Sequence, residues 1–541
     1  MVNDQEILEA FPSYSFRKYQ KETLKAMNDA FNSGYKAILL DAPTGAGKSI
    51  LNATFCKLWK SFYTTPQLSL IDQIVKDKFL KGNFVEIKGR QNYICYYDPV
   101  ATCDVGLCQR NPDFECDREK VCPYFIQKIK ALKANSALMS FAYFILEGQT
   151  KTEYSFGIRD LLVLDESHSL DQHIISHIDL TISPYTMSVE SYMKVKELLS
   201  KDLMTLDEAK ALVSTVHTAV SDHKDKVVQL NLLGEELTIE QAKESNKLST
   251  WMVNAERFLD TCEVTEWVWQ TGWTTYRGTT YKTLTLQPLY ARFFTNDLIW
   301  SRANKFIISS ATILNPNDFV YQIGLDRALK LNEIKHIRVP STFPVENRPV
   351  IDVVDGKLTH NERERNIDWA VKILEVVLDE EVGKNIAVHC ISYKNALEIA
   401  ERINPRFKDK LIVQTPETRK DDLEEFLHSK DKIFLSVAYT EGQDWSAELC
   451  EAQVLFKVPY MYVKDRRVER RLEKREWRWY RLEALKQVIQ SYGRAVRSPE
   501  DKAKFYVIDE AFIDLLKNTR RDMPPWFTEA LPEKWRKLIG K

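Results

Sequence analysis

The segment of residues 35–49, YKAILLDAPTGAGKS, constrains the fold of this chain more than any other. A short apolar run precedes a loop with two glycines and then a helical pattern, which predicts a buried strand, a turn and a helix. Gly45 and Gly47 allow backbone N–H groups to turn towards phosphate oxygens. Lys48 supplies a positive charge for the β- and γ-phosphates, and the Ser49 hydroxyl can bind Mg²⁺. These features predict a phosphate-binding loop in a parallel α/β sheet.

Further apolar runs that end in polar loops repeat this pattern along the chain. Residues 159–170 (RDLLVLDESHSL) and 304–314 (NKFIISSATIL) predict two more buried strands in the first half. Candidates in the second half are KNIAVHCISY, KLIVQT, KIFLSVAY, AQVLFKVPY and KFYVIDEAF. Because helical patterns separate most of these strands, we predict an α/β fold class with two domains built on parallel sheets, which bind ligands at the carboxyl ends of their strands.

The 541 residues are too many for one hydrophobic core, and the patterns divide the chain into four parts. Residues 338–350 carry three prolines and predict an extended linker between the halves. Two segments depart from the sheet pattern, and both are interpreted as insertions into the first domain. We expect a first α/β domain of residues 1–84, 141–171 and 296–340, a cysteine-rich insertion of 85–140, a mainly helical insertion of 172–295, and a second α/β domain of 341–541.

The composition sets limits on location and partners. The formal net charge of -1 gives no overall attraction for polyanions, so any nucleic-acid surface must be a local groove. No apolar run approaches the roughly 18 residues of a membrane-spanning helix, and the start, MVNDQEILEAFPSYSF, lacks the features of a signal peptide. We therefore expect a cytoplasmic, reducing location. In such a compartment the five cysteines crowded between Cys95 and Cys122 favour a metal site over disulfides.

Two further motifs supply groups for phosphoryl chemistry. In DESH, at the end of an apolar run, Asp165 suits Mg²⁺ coordination and Glu166 suits activation of water. Near the C-terminus, Gln490, Arg494 and Arg497 fall on closely spaced turns of a predicted helix, and arginines stabilise charge that develops on a γ-phosphate. The phosphate loop itself comprises Ala42, Pro43, Thr44, Gly45, Ala46, Gly47, Lys48 and Ser49, with Ala42 where the usual pattern has its first glycine.

Together, residues 42–49, 165–168 and 490–497 resemble motifs I, II and VI of superfamily 2 helicases. The resemblance implies ATP and Mg²⁺ bound between two RecA-like domains. Further matches occur in the expected order: Arg17 and Gln20 for an adenine-reading Q-motif, 63–73 for motif Ia, 309–312 for motif III, 390–395 for motif IV, and 439–449 for motif V with Gly442 and Asp444. The resemblance also implies that single-stranded DNA is contacted, mostly through backbone groups, at Thr65, Pro66, Gln67, Ser392 and Tyr393.

The cysteine-rich segment lies between the motifs that resemble Ia and II. Its position and flanks resemble the DinG/XPD group of iron–sulfur helicases, in which four cysteines hold a [4Fe–4S] cluster and a helical arch follows motif II. Zinc is the second choice, since zinc sites more often show paired C-x₂₋₄-C spacings. The resemblance implies ligation by Cys95, Cys108, Cys116 and Cys122, with Cys103 as the alternative to Cys108 or Cys116. Cys56, Cys262, Cys390 and Cys450 are interpreted as small buried apolar residues.

The predicted function is that of an ATP-dependent DNA helicase acting on single-stranded DNA and duplex junctions as a monomer, with 5′→3′ polarity implied by the family alone. The alternatives are a nucleic-acid-stimulated ATPase that remodels complexes without unwinding, and a binding protein that uses ATP as a switch.

Two weaker sequence features each allow more than one interpretation. Residues 464–487, rich in arginine and aromatic residues, fit either a DNA-facing helix or a solvated, salt-bridged one. Residues 267–287 predict one or two β-hairpins whose aromatic side chains serve mainly in core packing.

Overall fold

The computed structural model describes residues 2–13, 15–149, 152–187, 189–200, 205–232, 236–437, 449–496 and 498–541. Its strands, in chain order, are β1 (Ala37–Asp41), β2 (Ser61–Thr65), β3 (Val85–Glu86), β4 (Ser136–Ser140), β5 (Arg159–Leu164), β6 (Leu180–Ile182), β7 (Trp267–Tyr276), β8 (Thr279–Pro288), β9 (Ala303–Ser310), β10 (Ile334–Arg338), β11 (Val350–Asp352), β12 (Ile386–His389), β13 (Leu411–Val413), β14 (Ile433–Ser436), β15 (Ala452–Leu455) and β16 (Lys504–Val507).

The helices surround these strands. They are α1 (Asp4–Glu9), α2 (Gln20–Asn32), α3 (Lys48–Leu58), α4 (Leu68–Lys76), α5 (Leu107–Arg110), α6 (Arg118–Val121), α7 (Pro123–Lys133), α8 (Phe141–Gly148), α9 (Leu170–Ile178), α10 (Val189–Val195), α11 (Leu206–Leu232), α12 (Ile239–Thr261), α13 (Thr295–Leu298), α14 (Pro316–Gln322), α15 (Leu325–Ala328), α16 (Arg363–Glu380), α17 (Tyr393–Arg402), α18 (Arg419–His428), α19 (Arg466–Glu473), α20 (Trp477–Tyr492), α21 (Ala511–Thr519), α22 (Pro525–Thr528) and α23 (Glu533–Leu538). No helix of the described ranges is long and apolar enough to span a membrane.

The first sheet has the strand order β10-β1-β9-β5-β2-β4-β3, and every neighbouring pair is parallel. Alternate residues of its strands enter two separate apolar clusters: Leu39 and Leu162 pack on one face, whereas Leu40 and Val163 pack on the other. Helices therefore cover both faces, which explains why these strands appear in the sequence as continuous apolar runs. The carboxyl ends of β1, β9 and β5 lie side by side, which brings their polar loops to one edge.

The second sheet has the order β11-β16-β15-β12-β14-β13 and is also entirely parallel. The two parallel sheets confirm the predicted α/β fold class with two RecA-like domains. Strands β3 and β4 pair with each other and with the first sheet, although both fall in the segment expected to form the cysteine-rich insertion. The cysteine-rich segment therefore begins and ends with a strand of the first sheet.

The segment between β5 and β9 combines long helices with a small antiparallel sheet of order β6-β8-β7. Strands β7 and β8 form a single hairpin, and its two turn residues, Arg277 and Gly278, both have positive φ, as tight hairpin turns require. Trp267 at the base is buried in the core, as predicted, whereas Trp273 near the tip is 72% exposed. The tip is held as well, because the Tyr185 hydroxyl donates to the Thr275 carbonyl at 2.7 Å and the Tyr185 ring packs edge-on against Tyr276.

Candidate active site

The loop between β1 and α3 has the geometry of a phosphate cradle. Gly45 (φ 78°) and Gly47 (φ 81°) adopt left-handed backbone conformations that favour glycine. A Cβ at Gly47 would also collide with the side-chain amide of Gln20. Ala42 is buried, and its N–H donates to the Ser310 carbonyl (3.0 Å). The loop therefore leads directly into the N-terminus of α3, where free N–H groups and the helix dipole favour an anion.

Arg17 and Gln20 hold the phosphate loop through hydrogen bonds to its carbonyl groups. Arg17 Nη1 donates to the Gly45 carbonyl at 3.0 Å, and Gln20 Nε2 donates to the Ala46 carbonyl at 3.1 Å. The Arg17 N–H donates in turn to Gln20 Oε1 (2.8 Å). The structure thus brings both residues to the phosphate loop, and contact with adenine stays a prediction.

Asp165 lies at the centre of a network of hydroxyl groups. Its Oδ2 accepts from the Ser49 hydroxyl (3.3 Å) and the Tyr63 hydroxyl (2.6 Å), and its Oδ1 accepts from Ser309 Oγ (2.8 Å). Burial, followed by the neighbouring Glu166 charge, raises the pKa of Asp165. Tyr63 and Ser309 lie in the segments that resemble motifs Ia and III, but no sequence pattern predicts their contacts with Asp165.

Glu166 forms an ion pair with Lys48, whose Nζ lies 3.0 Å from Oε1. Burial alone would raise the pKa of Glu166, but the Lys48 ammonium and His168 together hold it well below its usual range. Glu166 also has φ 50°, an uncommon conformation for a residue other than glycine and one that clusters at functional sites. The structure therefore presents an ionised carboxylate directly beside the phosphate loop.

His168 connects this pair to the second domain. Its Nδ1 lies 3.5 Å from Glu166 Oε2 and 3.4 Å from Gln490 Nε2. Gln490 Nε2 also donates to Thr312 Oγ1 at 2.7 Å. One helical turn further on, a Cβ at Gly493 would lie 3.0 Å from Thr44 Oγ1, so the end of α20 approaches the phosphate loop closely. Groups from both parallel-sheet domains thus converge on one cleft.

Arg494 follows the end of α20, since the helix stops at Tyr492 rather than continuing through the predicted arginines. It is 4% exposed and lines a cavity of ≈320 Å³ between the domains together with His168 and Gln490. Burial, with the nearby Arg494 charge, lowers the pKa of His389 to about 4. Three predicted site residues, Gly442, Asp444 and Arg497, lie outside the described residues.

The two segments expected to bind DNA each follow the carboxyl end of a parallel strand and lead into a helix. Thr65 ends β2, Pro66 is buried, and Gln67 caps the start of α4, where its carbonyl accepts from Thr65 Oγ1 at 3.0 Å. In the second domain Ser392 caps α17 and accepts from the Asn395 N–H at 3.2 Å, and Tyr393 is the first helical residue. Both segments present helix N-termini, which suit phosphate groups. The DNA contacts themselves stay a prediction.

The five clustered cysteines lie close to one another. Cys103 is buried and Cys108 is exposed, with Cys95, Cys116 and Cys122 between these extremes. The Cys103 and Cys122 sulfurs are 3.9 Å apart. Burial and the neighbouring Cys108 raise the pKa of Cys116 to about 11, with smaller effects from Cys122 and Cys95. Within the described ranges, no three His, Cys, Asp or Glu side chains are arranged to hold a metal ion.

The remaining four cysteines, Cys56, Cys262, Cys390 and Cys450, are all buried, as predicted. Among the described residues every cysteine is a free thiol, and the clustered sulfurs are not paired as disulfides.

The arginine-rich segment 464–487 forms α19 and the start of α20, and much of its charge is neutralised within the protein. Glu266, the residue just before hairpin strand β7, forms ion pairs with Arg470 and with Lys474. The Lys474 Nζ lies 2.8 Å from the Glu266 carboxylate. Arg471 pairs with Glu476 (2.6 Å) and stacks on Trp479, 3.6 Å from the ring centre. Pairs within α19, such as Arg470–Glu473 at 2.8 Å, support the salt-bridged alternative, and the helix also connects the second domain to the insertion of the first.

Comparison with known proteins agrees with this architecture. Residues 13–207 match the family model described as the res subunit of type III restriction enzymes, and residues 375–530 match a helicase C-terminal domain. The ATP-dependent DNA helicase DinG of Photobacterium profundum is 24% identical over 247 residues, which cover 42% of this chain and 35% of the relative. The chain thus spans about a third of the length of that curated relative.

Solved structures of XPD proteins share the fold. An XPD helicase matches with a TM-score of 0.61 and 15% identity, over 94% of this chain and 98% of the other. Xpd4 of S. tokodaii matches with a TM-score of 0.58 and 18% identity, over 96% and 99% of the two chains. The structural likeness shows the fold, and with the sequence matches it confirms the predicted resemblance to DinG/XPD-like superfamily 2 helicases.

Proposed function

We propose that this chain is an ATP-dependent DNA helicase that couples hydrolysis to movement along single-stranded DNA and to unwinding of duplexes. The observation that carries the proposal is the convergence of the Lys48–Glu166 ion pair and the Ser49–Asp165 contact with Gln490 of the second domain. Such a cleft lets hydrolysis change the relative position of two domains. The named activities of the DinG and XPD relatives support the same class of function.

In the proposed reaction, Lys48 exchanges partners. Its ammonium pairs with Glu166 in this structure, and with ATP bound it would turn to the β- and γ-phosphates. Because Lys48 holds the pKa of Glu166 low, that exchange would raise the pKa and make Glu166 a stronger base for the attacking water. Arg494 and Arg497 would then stabilise the charge that develops on the γ-phosphate.

Magnesium fits the oxygen pair beside the loop. The Ser49 hydroxyl and an Asp165 carboxylate oxygen lie 3.3 Å apart, and both are ligand types that Mg²⁺ prefers. Bound with ATP, the ion would neutralise phosphate charge. Tyr63 and Ser309 would hold the Asp165 carboxylate in place for this task. Arg17 and Gln20 would complete the nucleotide site at the adenine, and Gly442 and Asp444 would contribute from the second domain.

We further propose that DNA crosses the carboxyl ends of both parallel sheets at Thr65, Pro66, Gln67, Ser392 and Tyr393. The helix N-termini at these points offer backbone N–H groups, which recognise phosphates without regard to base sequence. The segments 85–140 and 172–295 would form the iron–sulfur domain and the arch, with residues 85–86 and 136–140 of the former contributing β3 and β4 to the first sheet.

A [4Fe–4S] cluster fits the chemistry of the clustered thiols, because such clusters are held by cysteine thiolates. We propose Cys95, Cys108, Cys116 and Cys122 as ligands, with Cys103 as the alternative. The sulfurs of Cys103 and Cys122 lie 3.9 Å apart, which supports Cys103 as the alternative ligand.

Protein purified without oxygen should be brown, with roughly four irons and four sulfides per chain. Stoichiometric zinc without acid-labile sulfide would contradict the proposal, and colour lost in Cys103→Ser but kept in Cys108→Ser would reassign the ligand.

The decisive experiment compares unwinding of 5′-tailed and 3′-tailed duplexes by anaerobically purified protein. We expect ATP-dependent strand separation of the 5′-tailed substrate. Hydrolysis stimulated by single-stranded DNA without separation of either duplex would instead indicate a remodelling ATPase. Unwinding of the 3′-tailed duplex alone would leave the helicase proposal intact and reverse the polarity.

A further inference from the structure

A buried ion pair on α20 lies within the arginine-rich segment 464–487 but belongs to none of the helicase-like motifs. Lys486 Nζ is 2.6 Å from Glu483 Oε1, and the two residues are 6% and 3% exposed. Charges of this kind lose most of their hydration on folding, and a buried pair is often no more stabilising than apolar residues of similar size. Stability alone is therefore a poor explanation for charges at these two positions.

Both members of the pair face the first domain. Gln172 Nε2, from α9, donates to Glu483 Oε2 at 3.4 Å. Lys486 Nζ lies 3.5 Å from the His168 carbonyl oxygen and 3.5 Å from Gln322 Oε1, at the long end of hydrogen bonding. The pair thus meets the segment that directly follows the DESH motif, and it lines the ≈320 Å³ interdomain cavity.

The position of the pair on α20 relates it to the reaction. Glu483, Lys486 and Gln490 are spaced by three and four residues, so they share one face of the helix. Gln490 reaches Thr312 and the His168 ring from this face. His168 is therefore held from two sides by α20: its carbonyl lies beside Lys486 and its ring beside Gln490.

We propose that Glu483 and Lys486 are positioning residues, which dock α20 on the segment His168–Gln172 and so hold the His168 ring against Glu166. This inference rests on the proposed function. Neither side chain is required to touch ATP, and both would act through Gln490 and His168. Docking of this kind should affect the rate of hydrolysis more than the affinity for ATP, because the phosphate loop belongs to the other domain.

The test uses variants that separate positioning from stability. Lys486→Met leaves Glu483 buried without its partner, whereas the double variant Glu483→Leu/Lys486→Met replaces the pair by apolar side chains. Lys486→Arg keeps the charge. The control is Lys384→Met: Lys384 pairs with buried Glu381 over the same 2.6 Å and the same three-residue spacing, but it is 40% exposed and Glu381 keeps Lys504 as a second partner.

We expect the double variant to keep a melting temperature near that of the wild type and yet to lose roughly tenfold to a hundredfold in the kcat of DNA-stimulated ATP hydrolysis. Its KM for ATP should be unchanged. Lys486→Arg should restore most of the rate, and Lys384→Met should not lower it. A double variant with the wild-type kcat, or an equal loss in Lys384→Met, would overturn the inference.

Hydrogen exchange of the same proteins measures the docking of α20 on the segment His168–Gln172 independently of ATP hydrolysis. Backbone amides of residues 167–173 should exchange faster in the double variant than in the wild type or in Lys384→Met. Unchanged exchange would refute the docking role even if the rate fell. A wild-type protein that hydrolyses no ATP would refute the proposed function, and the exchange measurement would still decide the role of the pair.

Discussion

The substitution Tyr63→Phe removes one hydroxyl group from the candidate active site and should change both the melting temperature and the pKa of Asp165. The Tyr63 hydroxyl is buried and donates to Asp165 Oδ2 at 2.6 Å, the shortest of the three side-chain hydrogen bonds to this carboxylate. Phenylalanine fills the same space without the hydroxyl, so the substitution removes a donor and opens no cavity.

The expected effect follows from the strength of hydrogen bonds to charged groups, about 1.5–3 kcal/mol net. Taking about 2 kcal/mol, the melting temperature of a domain of this size should fall by about 4–8 °C. Loss of the donor should also raise the pKa of Asp165 further, beyond the rise that burial already causes. Because the proposed Mg²⁺ site needs an ionised Asp165, the acid limb of the ATPase pH profile should move to higher pH.

The assay is a pH profile of kcat/KM at fixed Mg²⁺, together with thermal unfolding at neutral pH. Tyr154→Phe is the matched control, because the Tyr154 hydroxyl also bonds a carboxylate, that of Glu119, but at the surface. Exposed charged pairs contribute little. The reasoning is refuted if Tyr63→Phe leaves both the acid limb and the melting temperature where the wild type and Tyr154→Phe have them.

Three more predictions address other parts of the structure. Glu166→Gln should bind ATP but hydrolyse it about 10²- to 10⁴-fold more slowly, as measured by nucleotide binding and phosphate release; near-normal turnover would instead favour ATP as a switch. Gly47→Ala should weaken ATP binding in a nucleotide-binding assay, because the left-handed φ of 81° strains a residue with a Cβ and the Gln20 side-chain amide would have to move; Gly383→Ala, at φ 85° with open space around it, is the control. Burial raises the pKa of Asp179 to about 6, so its protonated form contributes stability that is lost as pH rises through that value. Thermal unfolding of Asp179→Asn should therefore lack this loss, and parallel pH curves for the two proteins would contradict the assignment.

The sequence predicts most of the fold because its strands are buried on both faces and read as uninterrupted apolar runs. It also predicts which residues meet at the candidate active site, because Asp165 and Glu166 directly follow one such run, and Lys48 and Ser49 end the glycine-containing loop that follows another. Tyr63 and Ser309 could not be assigned in this way. Their contacts with Asp165 cross neighbouring strands 102 and 144 residues apart in the chain, and no local pattern records such pairings.

The arginine-rich segment 464–487 also makes contacts that no local sequence pattern predicts, over a longer distance in the chain. A local pattern reports only that its helices carry many charges. Glu266, which neutralises Arg470 and Lys474, lies about 200 residues earlier in the chain. The buried pair Glu483–Lys486 has a local signal, the three-residue spacing, but its burial depends on the neighbouring domain.

The ion pairs at Glu266 have a mechanical consequence. By chain connectivity the β7–β8 hairpin belongs to the insertion of the first domain, yet its base is tied to α19 of the second. If the second domain swings as a body, it must either break those ion pairs or pull the hairpin with it. Since Tyr185 bonds Thr275 near the tip, the hairpin would in turn pass such a movement on to the insertion that carries Tyr185. Because salt weakens exposed ion pairs, ionic strength would set how firmly α19 and the hairpin are coupled.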